Sequence, residues 1–245
     1  MADPVIVAQI GARRRYAVPD ALHAAGLLGH FYTDAVCPTP VARMINSIPS
    51  GWVPPRIRKA AARTPTHTPA GKISLIRYDK TPTDGSHLVP SQNFAKAVSQ
   101  KLPDTPFVSY TFNTAGLEII TTTSNRGYKS IHDQTLAPRT LTEDTIAEER
   151  KKLPDWEQPL APQDHIDRIA DREREETHAC TRVVCGSEFV KSALTKAYGI
   201  DPNKVTVIPP CIHPELPERP ESSPINMNAP LRVLFAGTLG LRKGI

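Results

Sequence analysis

The feature that most constrains the fold is a regular alternation of short apolar runs with longer amphipathic segments. The run "PVIVAQI" (4–10) is rich in β-branched residues and predicts a buried strand that ends at Gly11. The next segment, "VPDALHAAGLL" (18–28), has apolar residues at helical spacing, and Pro19 suits the first turn of a helix. The run "HFYTDAV" (30–36) predicts a second strand, so the chain opens with a βαβ unit.

The same alternation continues along the chain. Further strands are predicted at 72–78, 105–112, 128–134, 181–187 and 203–210, and further helices at 54–63, 91–102, 114–127, 142–153, 162–180 and 187–199. Ser91 and Ser187 suit helix N-caps, and Gly199 suits a C-terminal cap. The proline-rich stretch 38–69 predicts a long irregular insertion. Together these elements predict an α/β fold with a Rossmann-like parallel sheet and helices on both faces.

The last third of the chain predicts a domain boundary. Residues 212–230 are proline-rich and aperiodic, which is typical of a linker. After them, "LRVLFAG" predicts a strand that leads into a glycine turn and two cations, an arrangement that opens phosphate-binding βαβ units. We therefore expect a first domain over 1–211, a linker over 212–230, and over 231–245 the first strand and phosphate loop of a truncated second domain.

The charge is distributed unevenly. Residues 1–101 carry 13 Lys and Arg against 5 Asp and Glu, whereas residues 102–245 carry 17 against 20. A basic first half favours an anionic partner, which leaves a phosphorylated acceptor, an acidic membrane surface and nucleic acid open beside a merely solvated basic face. Nucleic acid is disfavoured, because aromatic residues make up only 6% of the chain and are not interleaved with the basic runs. No apolar leader or spanning segment is present, so we predict a cytoplasmic protein with peripheral membrane contact left open.

Several other classes are disfavoured. A single glycine, Gly11, follows the first strand in place of G-x-G-x-x-G, which argues against a nicotinamide dehydrogenase. The spacing of Cys180 and Cys185 does not match a zinc knuckle, so no metal site is predicted. Glu173 and Glu176 lie on a highly charged helix that is interpreted as a solvated face, so no carboxylate dyad for hydrolysis is predicted.

The stretch from about 180 to 245 carries a family resemblance. It reads "VVCGSEFVKSALTKAYGIDPNKVTVIPPCIHPEL" and, after the linker, "LRVLFAGTLGLRKGI". This order of motifs resembles the domain junction of the retaining glycosyltransferases of family four, which have the GT-B architecture of two facing Rossmann-like domains. The matching positions are Ser187, Tyr198, Gly199, 205–209, Gly237, Leu239, Lys243 and Gly244. Thr238 and Cys211 depart from the family pattern, which usually has Arg and Gly there.

The resemblance implies a function and a set of sites. It implies transfer of a sugar from a nucleoside-diphosphate sugar to a saccharide or lipid-linked acceptor, with no metal or cofactor bound by protein ligands. Donor phosphate would be bound by Gly237, Thr238, Arg242 and Lys243, the acceptor by Gly11, Arg13, Arg14, Tyr16, Tyr110 and Asn113, and His132 would be the catalytic residue. A surface basic run at 13–15 and a structural role for His132 remain open.

The resemblance also implies that the donor-ribose and catalytic acids follow Ile245. We therefore expect no transferase activity from this chain alone. The alternative is a non-catalytic Rossmann-like binding or regulatory module, which would account for the departures at Thr238 and Cys211.

Overall fold

The computed structural model describes residues 2–82, 87–156, 162–210, 230, 233–235, 237 and 240–241. Among them, seven strands form one parallel sheet in the order β3-β2-β1-β4-β5-β6-β7. The strands are β1 Val5–Gln9, β2 Leu28–Thr33, β3 Ile73–Leu75, β4 Val108–Phe112, β5 Lys129–Gln134, β6 Arg182–Cys185 and β7 Val205–Val207. The predicted α/β class and Rossmann-like parallel sheet are therefore confirmed.

Eight α-helices in the same residues connect the strands. They are α1 Ala17–Ala24, α2 Thr39–Ser47, α3 Pro55–Ala61, α4 Leu88–Ser99, α5 Leu117–Asn125, α6 Arg139–Lys152, α7 Gln163–Ala179 and α8 Glu188–Tyr198. The predicted insertion at 38–69 thus contains α2 and α3 and is not wholly irregular. Its prolines start both helices, where a missing N–H costs nothing.

The core lies on both faces of the sheet, as the helical connections require. On one face α4 and α5 pack Phe94 and Ile119 against Ile6 of β1, and α8 packs Leu194 in a neighbouring cluster around Val183. On the other face, Val7 belongs to a cluster with buried aromatic side chains from the neighbouring strands and the loop before α1. The alternation of faces along β1 follows from the two-residue period of a strand.

Two of the three predicted caps are confirmed. The Ser187 hydroxyl accepts a hydrogen bond from the Val190 N–H, and Gly199 ends α8 with a left-handed φ of 67°. Ser91 is not a cap: it lies inside α4, and its hydroxyl donates to the His87 carbonyl. Because α4 starts three residues earlier than predicted, Ser91 occupies an interior turn.

The predicted linker at 212–230 and most of the predicted second domain lie outside the described residues. Val233 and Leu234 are described, adopt no regular structure, and expose 83% and 89% of their surface. The strand predicted for "LRVLFAG" is therefore not formed at these residues. A strand needs neighbours to pair its backbone groups.

Candidate functional site

The chain reverses direction across the sheet at β1, which has β2 on one side and β4 on the other. In open parallel sheets, ligands bind at the carboxyl ends of the strands where the order reverses. Here that edge is formed by the loop after β1 and by the ends of β4 and β5. It brings together most of the predicted acceptor-binding residues.

The loop after β1 is held by two polar anchors. The Gln9 amide donates to the carbonyls of Gly11 and Arg13 at 2.8 and 3.0 Å. The Gly11 N–H donates to Asp34 Oδ1 at 2.7 Å, and Gly11 has a left-handed φ of 68°. Although burial opposes ionisation, this bond and Lys80 hold the pKa of Asp34 below its ordinary value. Asp34 follows β2 directly, and sequence reasoning gave it no role.

The next turn of the loop is strained. Arg14, Arg15 and Tyr16 all have positive φ, at 49°, 49° and 63°. For residues other than glycine this region costs roughly 1–2 kcal/mol each, so the surrounding structure must impose it. Tyr16 supplies the constraint: its side chain is fully buried, packs edge-on against Phe31, and donates its hydroxyl to the Ala35 carbonyl at 2.6 Å.

This strained turn aims Arg13 across to β4. Its Nη1 donates to Asn113 Oδ1 at 2.6 Å, and its guanidinium lies 5.8 Å from the centre of the Phe112 ring. Burial lowers the pKa of Arg13, and the nearby Asp133 carboxylate raises it. Among the residues that the structure describes, no carboxylate lies within ion-pair distance of Arg13. Its charge is therefore available to an anionic or strongly polar ligand.

Arg14, in contrast, is paired. Its Nη2 lies 3.0 Å from Asp133 Oδ1, and the Tyr110 hydroxyl donates to the other oxygen at 2.9 Å. Burial raises the pKa of Asp133 despite both contacts, and burial beside that carboxylate raises the pKa of Tyr110. Arg14, Tyr110 and Asp133 form one network on the same face of the sheet.

His132 points to the opposite face, since neighbouring residues of a strand alternate. Its ring is fully buried, and Nδ1 lies 3.1 Å from the Thr111 hydroxyl. Burial, followed by the charge of Arg13, lowers its pKa to about 3, so the ring is neutral at pH 7. Gly116 packs on this pair: a Cβ there would lie 2.7 Å from Thr111 Oγ1. Only glycine fits at this position without a displacement.

Beyond His132 lies a buried glutamate of α7. Glu176 accepts N–H bonds from Thr114 at 2.7 Å, from Gly116 at 2.8 Å and from Leu117 at 3.2 Å, and so satisfies the first turn of α5. Its Oε2 lies 3.6 Å from Nε2 of His132. Burial raises the pKa of Glu176 to about 7, although Arg172 and the backbone donors act in the opposite direction.

Two more charged residues of α7 are buried, so the interpretation of this helix as a solvated face is wrong for its inner side. Arg172 donates to the Thr114 carbonyl at 2.7 Å and binds Glu118 through two bonds of 3.2 and 2.6 Å. Glu173 accepts the Arg139 N–H at 2.9 Å. The spacing signals this burial: positions 166, 170, 173 and 177 are buried along one helical stripe that begins with apolar residues.

The remaining predicted site residues are distributed differently. Of the predicted donor-phosphate residues, Gly237 is exposed. Thr238, Arg242 and Lys243 lie outside the described residues. Cys180 and Cys185 are buried free thiols, and burial raises the pKa of Cys180 to about 11. Within the described ranges, no cluster of His, Cys, Asp and Glu could hold a metal ion, and no helix has the length and apolarity to cross a bilayer.

Comparison with protein families gives one match. The model of Glycosyltransferase Family 4 matches residues 154–216, about a quarter of the chain, from the end of α6 past β7. The resemblance to glycosyltransferases is thus confirmed for the part of the junction that the match includes. With the α/β fold, it supports a transferase of the glycosyltransferase type. None of the curated proteins compared with the chain matches it.

Two of the solved structures that the chain matches are transferases. One is a UGT transferase from Siraitia grosvenorii in complex with UDP, with 11% identity and a TM-score of 0.46 over 84% of this chain and 51% of that one. The other is a UDP-glucosyltransferase from Polygonum tinctorium, with 12% identity and a TM-score of 0.46 over 90% of this chain and 56% of that one. The chain spans about half the length of these structures.

Proposed function

We propose that this chain supplies the acceptor side of a retaining family-four glycosyltransferase, which moves a hexose from a nucleoside-diphosphate sugar to an acceptor hydroxyl. The observation that carries the proposal is Arg13, a partly buried cation without a carboxylate partner among the described residues, held by Asn113 at the edge where parallel sheets bind ligands. The family match over 154–216 supports the same class.

The proposed acceptor-binding residues differ in how many hydrogen bonds and ion pairs they already make within the protein. Arg13 and Asn113 present polar groups at the edge, and Gly11 is shaped by Asp34. Arg14 and Tyr110 both bind Asp133, so the charge of Arg14 is neutralised before an acceptor binds. Tyr16 holds the loop from within the fold. The acceptor is proposed to be a saccharide or a lipid-linked saccharide, as the resemblance implies.

The resemblance assigns a catalytic role to His132, but its ring is fully buried in this structure. We propose that His132 is a positioning residue, because its Nδ1 lies within hydrogen-bond distance of the Thr111 hydroxyl and its ring packs beside the glutamate that holds the start of α5. Direct contact with the transferred sugar remains a prediction.

The donor diphosphate is proposed to bind at Gly237, Thr238, Arg242 and Lys243. A glycine turn followed by cations stabilises the charge that develops on a leaving diphosphate. Lys243→Ala should weaken nucleoside diphosphate binding by about 1–3 kcal/mol, the value of a charge-assisted contact. Isothermal titration calorimetry measures this directly, and unchanged binding would refute the phosphate site.

A cytoplasmic location, contact of the basic first half with an anionic membrane surface, and inactivity of the chain on its own all remain predictions. The transferase test is release of nucleoside diphosphate from UDP-, GDP- and ADP-glucose by the purified protein, with a cell extract as acceptor source. We expect release to require the extract, and the product to keep the anomeric configuration of the donor, read by proton NMR. Absence of release with every donor would favour the non-catalytic binding module.

A further inference from the structure

The α2–α3 segment, residues 37–63, exposes five large apolar side chains: Val41, Met44, Ile48, Trp52 and Ile57. Trp52 exposes 84% of its surface and Met44 exposes 62%. Val41, Met44 and Ile48 follow one another at a spacing of three and four residues, so they form one stripe along α2. Single exposed apolar residues are ordinary, whereas a cluster of them on one segment marks an interaction site.

These side chains stand on a fixed part of the fold. The Cys37 N–H donates to the Arg63 carbonyl at 2.7 Å and joins the two ends of the segment. Directly after it, the buried Asp20 of α1 accepts N–H bonds from Thr66 and Thr68, both at 2.8 Å. Because both ends are held and α2 packs against α3, the apolar stripe keeps its outward position.

The charge of this region has one sign. Residues 35–78 contain seven Lys and Arg and no Asp or Glu. Arg43 and Lys59 are exposed, and neither takes part in the ion pairs of the described residues. A second copy of the chain would bring like charges together, which opposes self-association through this surface. Nucleic acid is also a poor fit, because Trp52 is the one aromatic residue of the segment on which a base could stack.

An anionic lipid surface fits both properties. Trp side chains favour the headgroup level of a membrane, aliphatic side chains enter the acyl boundary, and Lys and Arg attract anionic headgroups. A protein partner would have to supply a pocket for each protruding side chain, whereas a fluid bilayer accommodates them without a matching shape. We propose that the α2–α3 segment docks on an anionic membrane, with Trp52 and Met44 inserted among the headgroups and with Arg43 and Lys59 beside them.

Docking by this segment affects the position of the sheet edge. The segment begins shortly after β2, whose carboxyl end lies at the same edge of the parallel sheet as the loop after β1. Docking would therefore place that edge close to the bilayer. The inference goes beyond the proposed function, because charge alone leaves the whole basic first half open, whereas the exposed apolar side chains select one segment. It holds whether or not the chain transfers a sugar.

The experiment measures, by sedimentation, partitioning of the complete chain to vesicles of phosphatidylcholine alone or mixed with phosphatidylserine. We expect binding that requires phosphatidylserine and weakens with added salt. Lys59→Gln removes one cation and should weaken partitioning about fivefold. The matched control is Lys96→Gln, at an exposed lysine of α4 outside the segment, which should leave partitioning unchanged. Trp52→Ser combined with Met44→Ser should weaken it by roughly tenfold or more.

Tryptophan fluorescence locates the contact. The chain contains two tryptophans, Trp52 and Trp156, so Trp156→Phe leaves Trp52 as the reporter. We expect its emission to move to shorter wavelength on the mixed vesicles, because the membrane interface is less polar than water.

Three outcomes overturn the inference. These are no binding to the mixed vesicles, equal binding to both vesicle types, or binding that neither the double variant nor Lys59→Gln weakens. An emission shift with polyglutamate and none with vesicles would assign the surface to an acidic protein partner and would also overturn it. All substituted side chains are exposed, and urea unfolding checks that each variant folds. Absence of sugar transfer leaves this inference standing, whereas transfer without vesicle binding refutes it alone.

Discussion

Two groups of charged side chains contact the segment 113–118, one from the loop after β1 and one from α7, and they differ in how far the protein satisfies their charge. From the loop after β1, Arg13 binds the neutral Asn113 and forms no direct ion pair with a carboxylate of the described residues, although Asp133 lies near enough to raise its pKa. From α7, Arg172 and Glu176 form ion pairs and accept or donate backbone hydrogen bonds inside the fold. We infer that Arg13 is placed to bind a ligand, whereas Arg172 and Glu176 hold the segment 113–118 in position.

The loop after β1 and α7 also differ in backbone geometry. The loop carries three successive residues with positive φ, which stores strain at the sheet edge. The α7 residues are in regular helix, and their cost is the burial of charge. Strain in the loop is therefore offset by Tyr16, and burial in α7 is offset by the hydrogen bonds to α5.

The largest expected effect is loss of Glu176. Glu176→Ala leaves three backbone N–H groups of the α5 start without their acceptor and removes one partner of the buried Arg172. We expect the free energy of unfolding to fall by about 3 kcal/mol. Urea unfolding measures it, and Glu175→Ala, one residue away and exposed, should cost less than about 0.5 kcal/mol. Equal effects would mean that the buried contacts of Glu176 contribute nothing.

A smaller loss is expected when the close approach at Gly116 is disturbed. The added methyl of Gly116→Ala would meet Thr111 Oγ1 at 2.7 Å, so we expect destabilisation by about 2 kcal/mol. Gly71→Ala is the matched control, because open space surrounds that position. Combining Gly116→Ala with Thr111→Ala should cost less than the two single changes together. Strict additivity in urea unfolding would contradict the contact.

His132 and Glu176 should affect the pH dependence of stability in opposite directions. Because the pKa of His132 is lowered from 6.5 to about 3, the unfolded chain binds the extra proton, and stability falls as the pH drops from 6.5 toward 3. Because the pKa of Glu176 is raised from 4.5 to about 7, the folded protein binds the extra proton, and stability falls as the pH rises from 4.5 to 7. Their slopes oppose each other between pH 4.5 and 6.5.

Glu176→Gln should remove one of these slopes. The stability of the variant is then expected to rise from pH 4.5 to 6.5 by up to about 1.4 kcal/mol per pH unit, the value for one proton. Urea unfolding at several pH values gives the slope. Glu175→Gln should keep the pH dependence of the parent chain. A slope for Glu176→Gln equal to that of the parent chain would show that Glu176 does not oppose His132 in this pH range.

The smallest expected effect is relief of strain in the loop. Arg15 is exposed and has a φ of 49°, which glycine adopts at no steric cost. Arg15→Gly should therefore stabilise the chain by about 0.5 kcal/mol, the difference between the strain removed and the chain entropy added. Arg58→Gly, in the middle of α3, should instead destabilise by about 1 kcal/mol. Thermal unfolding distinguishes the two signs, and destabilisation by both would remove the case for strain.

The fold was largely predictable from the sequence because its strands are short, apolar and separated by helices of adequate length. The edge residues Arg13 and Asn113 were predictable for the same reason, since residues after parallel strands meet at one edge. The inner side of α7 was not, because Glu173 and Glu176 are charged in a charged helix. His132 and Asp133 are adjacent in sequence, and the pleat of β5 decides which of them faces Arg14 and Tyr110.

The most direct test of the account compares Arg13→Ala with Lys96→Ala, an exposed lysine of α4, once a donor and acceptor are in hand. We predict that Arg13→Ala raises the acceptor KM by about 10–100-fold, equivalent to roughly 1.4–2.7 kcal/mol, with unchanged donor KM. Because Asn113 loses its hydrogen-bond donor, we expect the unfolding free energy to fall by about 1 kcal/mol. Lys96→Ala should change none of the three. An unchanged acceptor KM in Arg13→Ala, or a rise confined to the donor KM, would contradict an acceptor-binding role for this edge.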